Sequence, residues 1–394
     1  MGGYAWTVTA RSQPNFTTPI AISKLQLIAS IGGVASLVLA LTVSDLDFVM
    51  MMTAARYGPP EQDLAAMDIL ANISIPAVRD ALQLFYAFSS RQPDFARKRQ
   101  RQGITMSLKF AAGDLTIHRI VEDEGLFLPA LDMLPGLTPE LLAENRAWMK
   151  AAGALDDSDT LILAFQSYIV KTPHHTILID SCIGNDKPRP GRPSWNMKTD
   201  DNYLRGLAAA GFSVGDIDYV MCTHLHVDHV GWNTRLENGR WVPTFPNARY
   251  VFDKSEFDYW TETNAKAEVP PFVDSVLPVV EAKRAELVGN DFAIGDHVRI
   301  LPTPGHTPGH VAFTFGRGKD DAVFAGDLMH SPIQTHYPEL SAKFDVDQAQ
   351  AAKTRRSFLE RYCDTDTLCC TAHFPSPSSG RIKRKGNGFM CEMM

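Results

Sequence analysis

The sequence predicts an α/β fold, and three observations carry that reading. From Met106 onward, short runs rich in β-branched and aromatic residues alternate with helical stretches and turns. Side chains able to bind metal stand at the ends of several of those runs. The composition, 45% hydrophobic, 21% charged and 9% aromatic over 394 residues, is ordinary for a soluble globular enzyme with one large domain and an appended segment.

Residues 1–105 precede the alternating pattern and read as an N-terminal extension, helical in the main. Within it, residues 25–43 form an apolar run interrupted by Gln26, Ser30 and Ser36. Its length approaches the ~20 residues of a membrane span. Three readings stay open: a membrane anchor or uncleaved signal that brings residues 25–43 to a membrane, a buried helix, or non-native sequence upstream of the true start. Residues 60–90 place Leu64, Met67, Leu70, Ala71 and Ile75, then Val78, Leu82, Leu84 and Phe85, at helical spacing. That stripe is a packing face, and one on which a homodimer could pair. Residues 97–103 form a basic linker ending in Gly103, read as a solvated hinge.

The catalytic domain is expected over residues 106–390. Residues 115–121, 161–170 and 176–180 read as strands, and 201–210 as a helix stopped by Gly211. Residues 249–252 read as a strand, and 255–260 and 276–287 as helices. A long helix over 347–362 leads to the last strand.

The densest chemistry is Thr223-His224-Leu225-His226-Val227-Asp228-His229, which follows the apolar strand Asp218-Tyr219-Val220-Met221-Cys222. Imidazoles and a carboxylate at this density suit Zn²⁺ or another first-row divalent ion. In an extended or tightly turning segment, His224 and His226 point to one side, and Asp228 can point past them to a second ion. In Thr303-Pro304-Gly305-His306-Thr307-Pro308-Gly309-His310, Pro and Gly fix a tight backbone path that holds an imidazole in place. Ala322-Val323-Phe324-Ala325-Gly326-Asp327 is an apolar strand ending in a carboxylate suited to bridge two cations, and Leu368-Cys369-Cys370-Thr371-Ala372-His373 ends in a further imidazole.

With Thr176-Ile177-Leu178-Ile179-Asp180, these runs make residues 106–389 resemble the metallo-β-lactamase-fold hydrolases. Within them the chain looks most like the dinuclear branch of N-acyl homoserine lactonases, methyl-parathion-hydrolase-type phosphotriesterases and related esterases. The resemblance implies a four-layer αβ/βα sandwich, with two sheets packed between helices. It implies one metal on His224, His226 and His306, a second on Asp228, His229 and His373, and Asp327 bridging both. Asp180 would brace the histidine loop, and His310 would be structural. The implied cofactor is two divalent ions, Zn²⁺ foremost, with Mn, Fe or Co also suited to the set. The implied reaction is attack on a lactone or carboxylic ester by a hydroxide shared between the ions, with Asp228 passing a proton to the leaving group. Phosphotriesters are the alternative substrate.

Other members of the superfamily fit less well. A carboxylate at Asp327 separates the chain from the true β-lactamases. Glyoxalase-II-type thioesterases carry a basic C-terminal extension, and this chain ends soon after His373. The lactonases carry a tyrosine three residues after the bridging aspartate, where this chain has His330. A histidine can donate a hydrogen bond or shuttle a proton, so His330 joins Asp228 as a catalytic candidate.

Phe127, Trp195 and Trp232 are candidates for an apolar pocket wall, and Arg189 and Arg192 read as solvated loop charges or as charges that steer an anionic substrate. The substrate is therefore expected to be a small ester or lactone. A net charge of −7 argues against a nucleic-acid partner. The six cysteines form neither zinc-finger spacing nor a disulfide framework, which suits reduced thiols and a cytoplasmic location.

Overall fold

Side-chain alternation along the strand Thr176–Ile179 shows how the catalytic region is layered. Ile177 and Ile179 join the apolar cluster between the two sheets, whereas Leu178 joins the cluster on the outer face. The computed structural model describes residues 108–394 in full. Before them it describes the course of strands β1 (Tyr4–Thr9), β2 (Ile22–Ser30), β3 (Ser36–Val43) and β4 (Val49–Arg56). The chain divides into two units, Met1–Gln102 and Gly103–Met394.

In the second unit, one sheet is formed by β5 (Leu108–Ala112), β6 (Leu115–Pro129), β7 (Thr160–Lys171), β8 (Thr176–Ile179), β9 (Tyr219–Met221), β12 (Arg249–Asp253) and β13 (Ala285–Val288). A separate hairpin, β10 (Thr234–Glu237) with β11 (Arg240–Pro243), lies between β9 and β12 in sequence. The spatial order of the sheet is β13-β12-β9-β8-β7-β6-β5, parallel from β13 to β8 and antiparallel beyond. The other sheet runs in chain order through β14 (Ala293–Ile294), β15 (Val298–Pro302), β16 (Val311–Phe315), β17 (Ala322–Phe324), β18 (Leu368–Cys370), β19 (Ser379–Lys385) and β20 (Gly388–Met393).

Between the sheets, Ile117, Tyr168, Val170 and Met221 of the first meet Ile300, Phe313, Phe315 and Phe324 of the second. Outside the first sheet, Tyr203, Leu207, Phe272 and Val279 pack from the helices Asn202–Ala209, Pro270–Ser275 and Leu277–Glu281. Outside the second, Phe358, Leu359 and Tyr362 pack from the helix Gln348–Tyr362. The result is the expected four-layer αβ/βα sandwich, with β8, β9, β15, β17 and β18 each running directly into a segment that carries a candidate site residue.

Two expectations need correction. Residues 276–287 are not one helix: Leu277–Glu281 is helical, Lys283 takes φ +57°, and Ala285–Val288 pairs in parallel with β12 as the sheet edge. Residues 25–43, open from the sequence to a membrane anchor or uncleaved signal, a buried helix or non-native sequence, fall largely in β2 and β3, which pair antiparallel with Ser30 opposite Ser36. No helix among the described residues is long and apolar enough to cross a membrane. Residues 60–90 and 97–103 lie outside the described residues.

Candidate metal centre

The segment after β9 turns tightly, burying His224 and His229 and leaving His226, Val227 and Asp228 half-buried at the rim of a cavity. Asp180, at the end of β8, holds the turn from behind. Its Oδ1 accepts from the Thr223 backbone N–H at 2.8 Å, and its Oδ2 accepts from His229 Nδ1 at 2.9 Å. That second bond fixes the tautomer, leaving the Nε2 lone pair of His229 aimed at the cavity floor. The same device recurs twice. His306 Nδ1 donates to Asp345 Oδ1 at 2.8 Å, and His373 Nδ1 donates to the Ala164 carbonyl at 2.9 Å. His226 differs: its Nδ1 faces the centre, 2.9 Å from both His224 Nε2 and His306 Nε2, and its ring meets Trp260 edge-on.

Asp327 sits in the middle. Gly326 precedes it at φ +52°, and a Cβ there would lie 2.6 Å from His310 Nε2, so only glycine permits the approach. The Asp327 N–H donates to His310 Nε2 at 3.0 Å, and His310 Nδ1 meets Thr303 Oγ1 at 2.8 Å. Both His310 nitrogens are thereby used in positioning Asp327.

The candidate ligand atoms form three overlapping groups, each within 4.8 Å: His224, His226, His306 and Asp327; Asp228, His229 and His373; and Asp327, His330 and His373. Asp327 Oδ1 lies 2.9 Å from both His229 Nε2 and His373 Nε2, and Oδ2 lies 3.2 Å from His306 Nε2. Yet His229 Nε2 and Asp327 Oδ1 are buried with no aligned hydrogen-bond partner. Proximity without alignment means that their lone pairs share a common region instead of satisfying each other. Five imidazoles and two carboxylates converging in this way fit a pair of divalent cations.

The charges agree with that fit. Burial alone would raise the Asp327 carboxyl, but His229, His373, His224 and His330 hold it well below the usual range. Burial opposes a charge on His306, yet Asp327 and Asp345 raise it to about 9. His229 is also pushed well above its ordinary value, because Asp327, Asp180 and Asp228 outweigh burial. The protons so retained are those that a cation would displace.

The cluster floors a cavity of about 430 Å³ lined by Phe127, Met133, Leu163, Phe165, Trp195 and Phe344 among others. His330 lines it as well, with Nε2 3.1 Å from Asp327 Oδ2 and its ring stacked on His373 at 5.4 Å. Phe127 and Trp195 stand where the sequence places them, but Trp232 does not. Its indole N–H donates to the buried Glu122 at 2.8 Å and its ring stacks on Tyr203, inside the core behind the first sheet. The indole needed a buried acceptor, and Glu122 lies away from the cavity. Of the two arginines, Arg189 is buried and Arg192 half-buried. Arg189 makes a two-pronged buried pair with Asp274, and Arg192 lines the cavity.

Two functional carboxylates escaped the sequence reading. Asp345 braces His306, and is itself held by the Ala342 N–H at 2.9 Å and by Arg355 at 3.3 Å. Glu256 accepts from the N–H groups of Leu225 and Gly309, both at 3.1 Å, and from Trp260 Nε1 at 2.7 Å. It thus ties two histidine loops to one helix, Lys254–Lys266. The signal available for Glu256 was its place beside Trp260 at i,i+4; Asp345 offered none.

Residues 166–373 match the family model of the metallo-beta-lactamase superfamily. The chain belongs to that superfamily. An N-acyl homoserine lactonase from Bacillus sp. is 25% identical over 179 residues, which are 43% of this chain and 65% of the lactonase. A hydroxyacylglutathione hydrolase from Rhodopseudomonas palustris is 30% identical over 129 residues, 32% of this chain and 39% of that enzyme. Each superfamily relative is thus matched over less than two thirds of its own length. Among solved structures, AidC, a dizinc quorum-quenching lactonase, aligns with TM-score 0.62 and 23% identity over 73% of this chain and 97% of AidC. The hydrolase AbOPH aligns with TM-score 0.62 and 23% identity over 74% of this chain and 99% of AbOPH. At these identities the two structures show the shared metallo-beta-lactamase fold.

Proposed function

We propose that this chain is a dinuclear metal-dependent hydrolase that opens lactones or cleaves carboxylic esters. The observation that carries the reading is the convergence of His224, His226, His306, His229, His373 and Asp228 around Asp327 on the floor of an apolar, aromatic-walled cavity. His224, His226 and His306 would hold one ion, and Asp228, His229 and His373 the other, with Asp327 shared. Bound divalent ions supply a water activated near neutral pH and an electrophile for the substrate carbonyl. Zn²⁺ fits the nitrogen-rich set, and Mn, Fe or Co suit it as well.

The protein's own groups supply the rest. Asp180, Asp345 and the Ala164 carbonyl hold three imidazoles in one tautomer and orientation. Asp228 is half-buried at the cavity rim, where it can take a proton and return it to the leaving oxygen. His330 directs Nε2 at the same floor and can donate to the substrate carbonyl. Phe127, Leu163, Phe165 and Trp195 would exclude water and receive an acyl chain. All six cysteines are free, which supports a reducing, cytoplasmic setting.

The aromatic wall also suits an aryl phosphotriester, the second reading. The deciding experiment compares kcat/KM for a long-chain N-acyl homoserine lactone and an aryl phosphotriester on metal-loaded protein. A lactone value of about 10⁴ M⁻¹s⁻¹ or above, well over that for the triester, supports the first reading. A negligible lactone value with the metals bound removes lactones and moves the search to triesters and simple esters.

A further inference from the structure

We propose that Arg192 makes this cavity selective for substrates that carry a carboxylate on the part distant from the scissile bond. The proposal rests on the hydrolase reading above, because it uses the same cavity. Arg192 lines that cavity together with His226, Asp228, Asp327, His306 and His373. Its guanidinium lies 4.1 Å over the Phe127 ring, 5.2 Å from Trp195 and 5.9 Å from Phe344. Among the described residues it meets no carboxylate or carbonyl acceptor within bonding distance.

The other buried arginines set the contrast. Arg189 grips Asp274 with two bonds at 2.7 and 2.9 Å. Arg355 is satisfied by three carbonyls and Asp345. Arg119 bonds Gln166, Ser376 and Glu124. Arg189 lines the same cavity, but Asp274 takes both of its terminal nitrogens and leaves only the buried Nε without a partner, whereas none of the Arg192 guanidinium nitrogens has a bonded acceptor among the described residues.

The position is a rigid one. The Arg192 N–H donates to the Arg189 carbonyl at 2.8 Å, and the Trp195 and Asn196 N–H groups donate to the Arg192 carbonyl at 2.9 Å. The Arg189–Asp274 pair anchors the same loop to the helix Pro270–Ser275. Stacking on aromatic faces orients the planar fork but leaves its in-plane N–H groups unmet. Burial, the main influence on Arg192, lowers its pKa, and the nearby Asp228 charge opposes that shift. A half-buried cation without an acceptor gains most from a ligand carboxylate, which takes two parallel charge-assisted bonds. Apart from Arg189, whose fork is taken by Asp274, the wall around Arg192 is apolar, so one end of such a substrate would meet Arg192 while its ester or lactone reaches the floor.

The test is calorimetric binding of product-like acids to metal-loaded protein. A series of α,ω-dicarboxylates from succinate to sebacate is compared with monocarboxylates of equal length. Both kinds offer one carboxylate to the metal floor, but only the diacids offer a second to Arg192. The native protein should bind the best-fitting diacid about tenfold or more tighter than its monoacid, the worth of one charge-assisted pair. In Arg192→Met the ratio should fall to near unity. In Arg192→Lys, which keeps the charge but loses the fork, it should be intermediate. Equal affinities across the whole native series, or an unchanged ratio in folded, metal-loaded Arg192→Met, would overturn the proposal and leave Arg192 a packing residue. A diacid preference without turnover of any ester or lactone keeps the carboxylate site and removes the hydrolase reading. Turnover without a diacid preference does the reverse.

Discussion

At the floor of the cavity each fixed imidazole is held from behind by one short bond: Asp180 to His229, Asp345 to His306, the Ala164 carbonyl to His373. The wall is built otherwise. Phe127, Phe165, Trp195 and Phe344 touch through ring contacts at 5.0 to 6.3 Å, and the loop that carries Trp195 is anchored by the buried Arg189–Asp274 pair. The floor is directional and tolerates little displacement. The wall is non-directional, so its shape can change while the floor stays intact. Chemistry and substrate choice are thereby carried by parts that mutation should separate.

The largest effect is expected at the centre of the floor. Asp327→Ala removes the carboxylate whose oxygens face His229 and His373 on one side and His306 on the other. Metal content should drop below two ions per chain, and kcat/KM should fall by at least the ~10²–10³ that a single preorganised electrostatic contact is worth. Elemental analysis beside steady-state kinetics would read both. Full metal content would show that Asp327 is not the shared ligand.

Next come the braces. Asp345→Asn and Asp180→Asn leave every ligand in place and alter only what holds one ring. Metal affinity should weaken by about 10–100-fold in each, as read by competition with a chelator. Equal affinity in native protein and variants would mean that packing alone fixes the rings.

The wall is probed by Asp274→Asn, which leaves Arg189 and Lys187 buried without their anion. A loss of about 3–5 kcal/mol is expected in denaturant unfolding, the usual cost of breaking a buried pair from one side. KM for long-chain substrates should rise while kcat is retained. A fall in kcat with KM unchanged would mean that floor and wall are coupled.

The smallest effect is a slope with pH. His306 in the metal-free protein titrates at about 9, raised by Asp327 and Asp345 against the effect of burial. A raised histidine stabilises the metal-free fold fully below its unfolded pKa of about 6.5, and that contribution is lost as pH rises through about 9. A cation must displace the same proton. Apparent metal affinity should therefore climb between pH 7 and 9 by up to about tenfold per unit for that proton. A flat profile would show His306 already neutral.

What could be read from the sequence follows the same division. The seven floor residues and Asp180 lie in short runs that leave strands, and the order of those runs carries the family resemblance that implies their roles. Asp345 reaches His306 from 39 positions away with no pattern around it. Glu256 looks like an ordinary charge on a capped helix until the fold buries it against Leu225 and Gly309. Trp232 was placed on the wall by its nearness to the metal run, but its indole found Glu122 in the core. For Arg192, on a Pro-rich loop, solvent and an anionic substrate are both open from the sequence, and the Arg189–Asp274 pair is what ties this loop down over the cavity. Side chains set by local backbone were legible; those set by a distant partner were not.

The most direct measurement follows turnover of a long-chain N-acyl homoserine lactone while divalent metal is titrated into chelator-stripped protein. The rate should rise and level off near two equivalents per chain, the number that the proposed dinuclear centre would hold. Turnover that is complete without added metal, or that saturates at one equivalent, would contradict the dinuclear account.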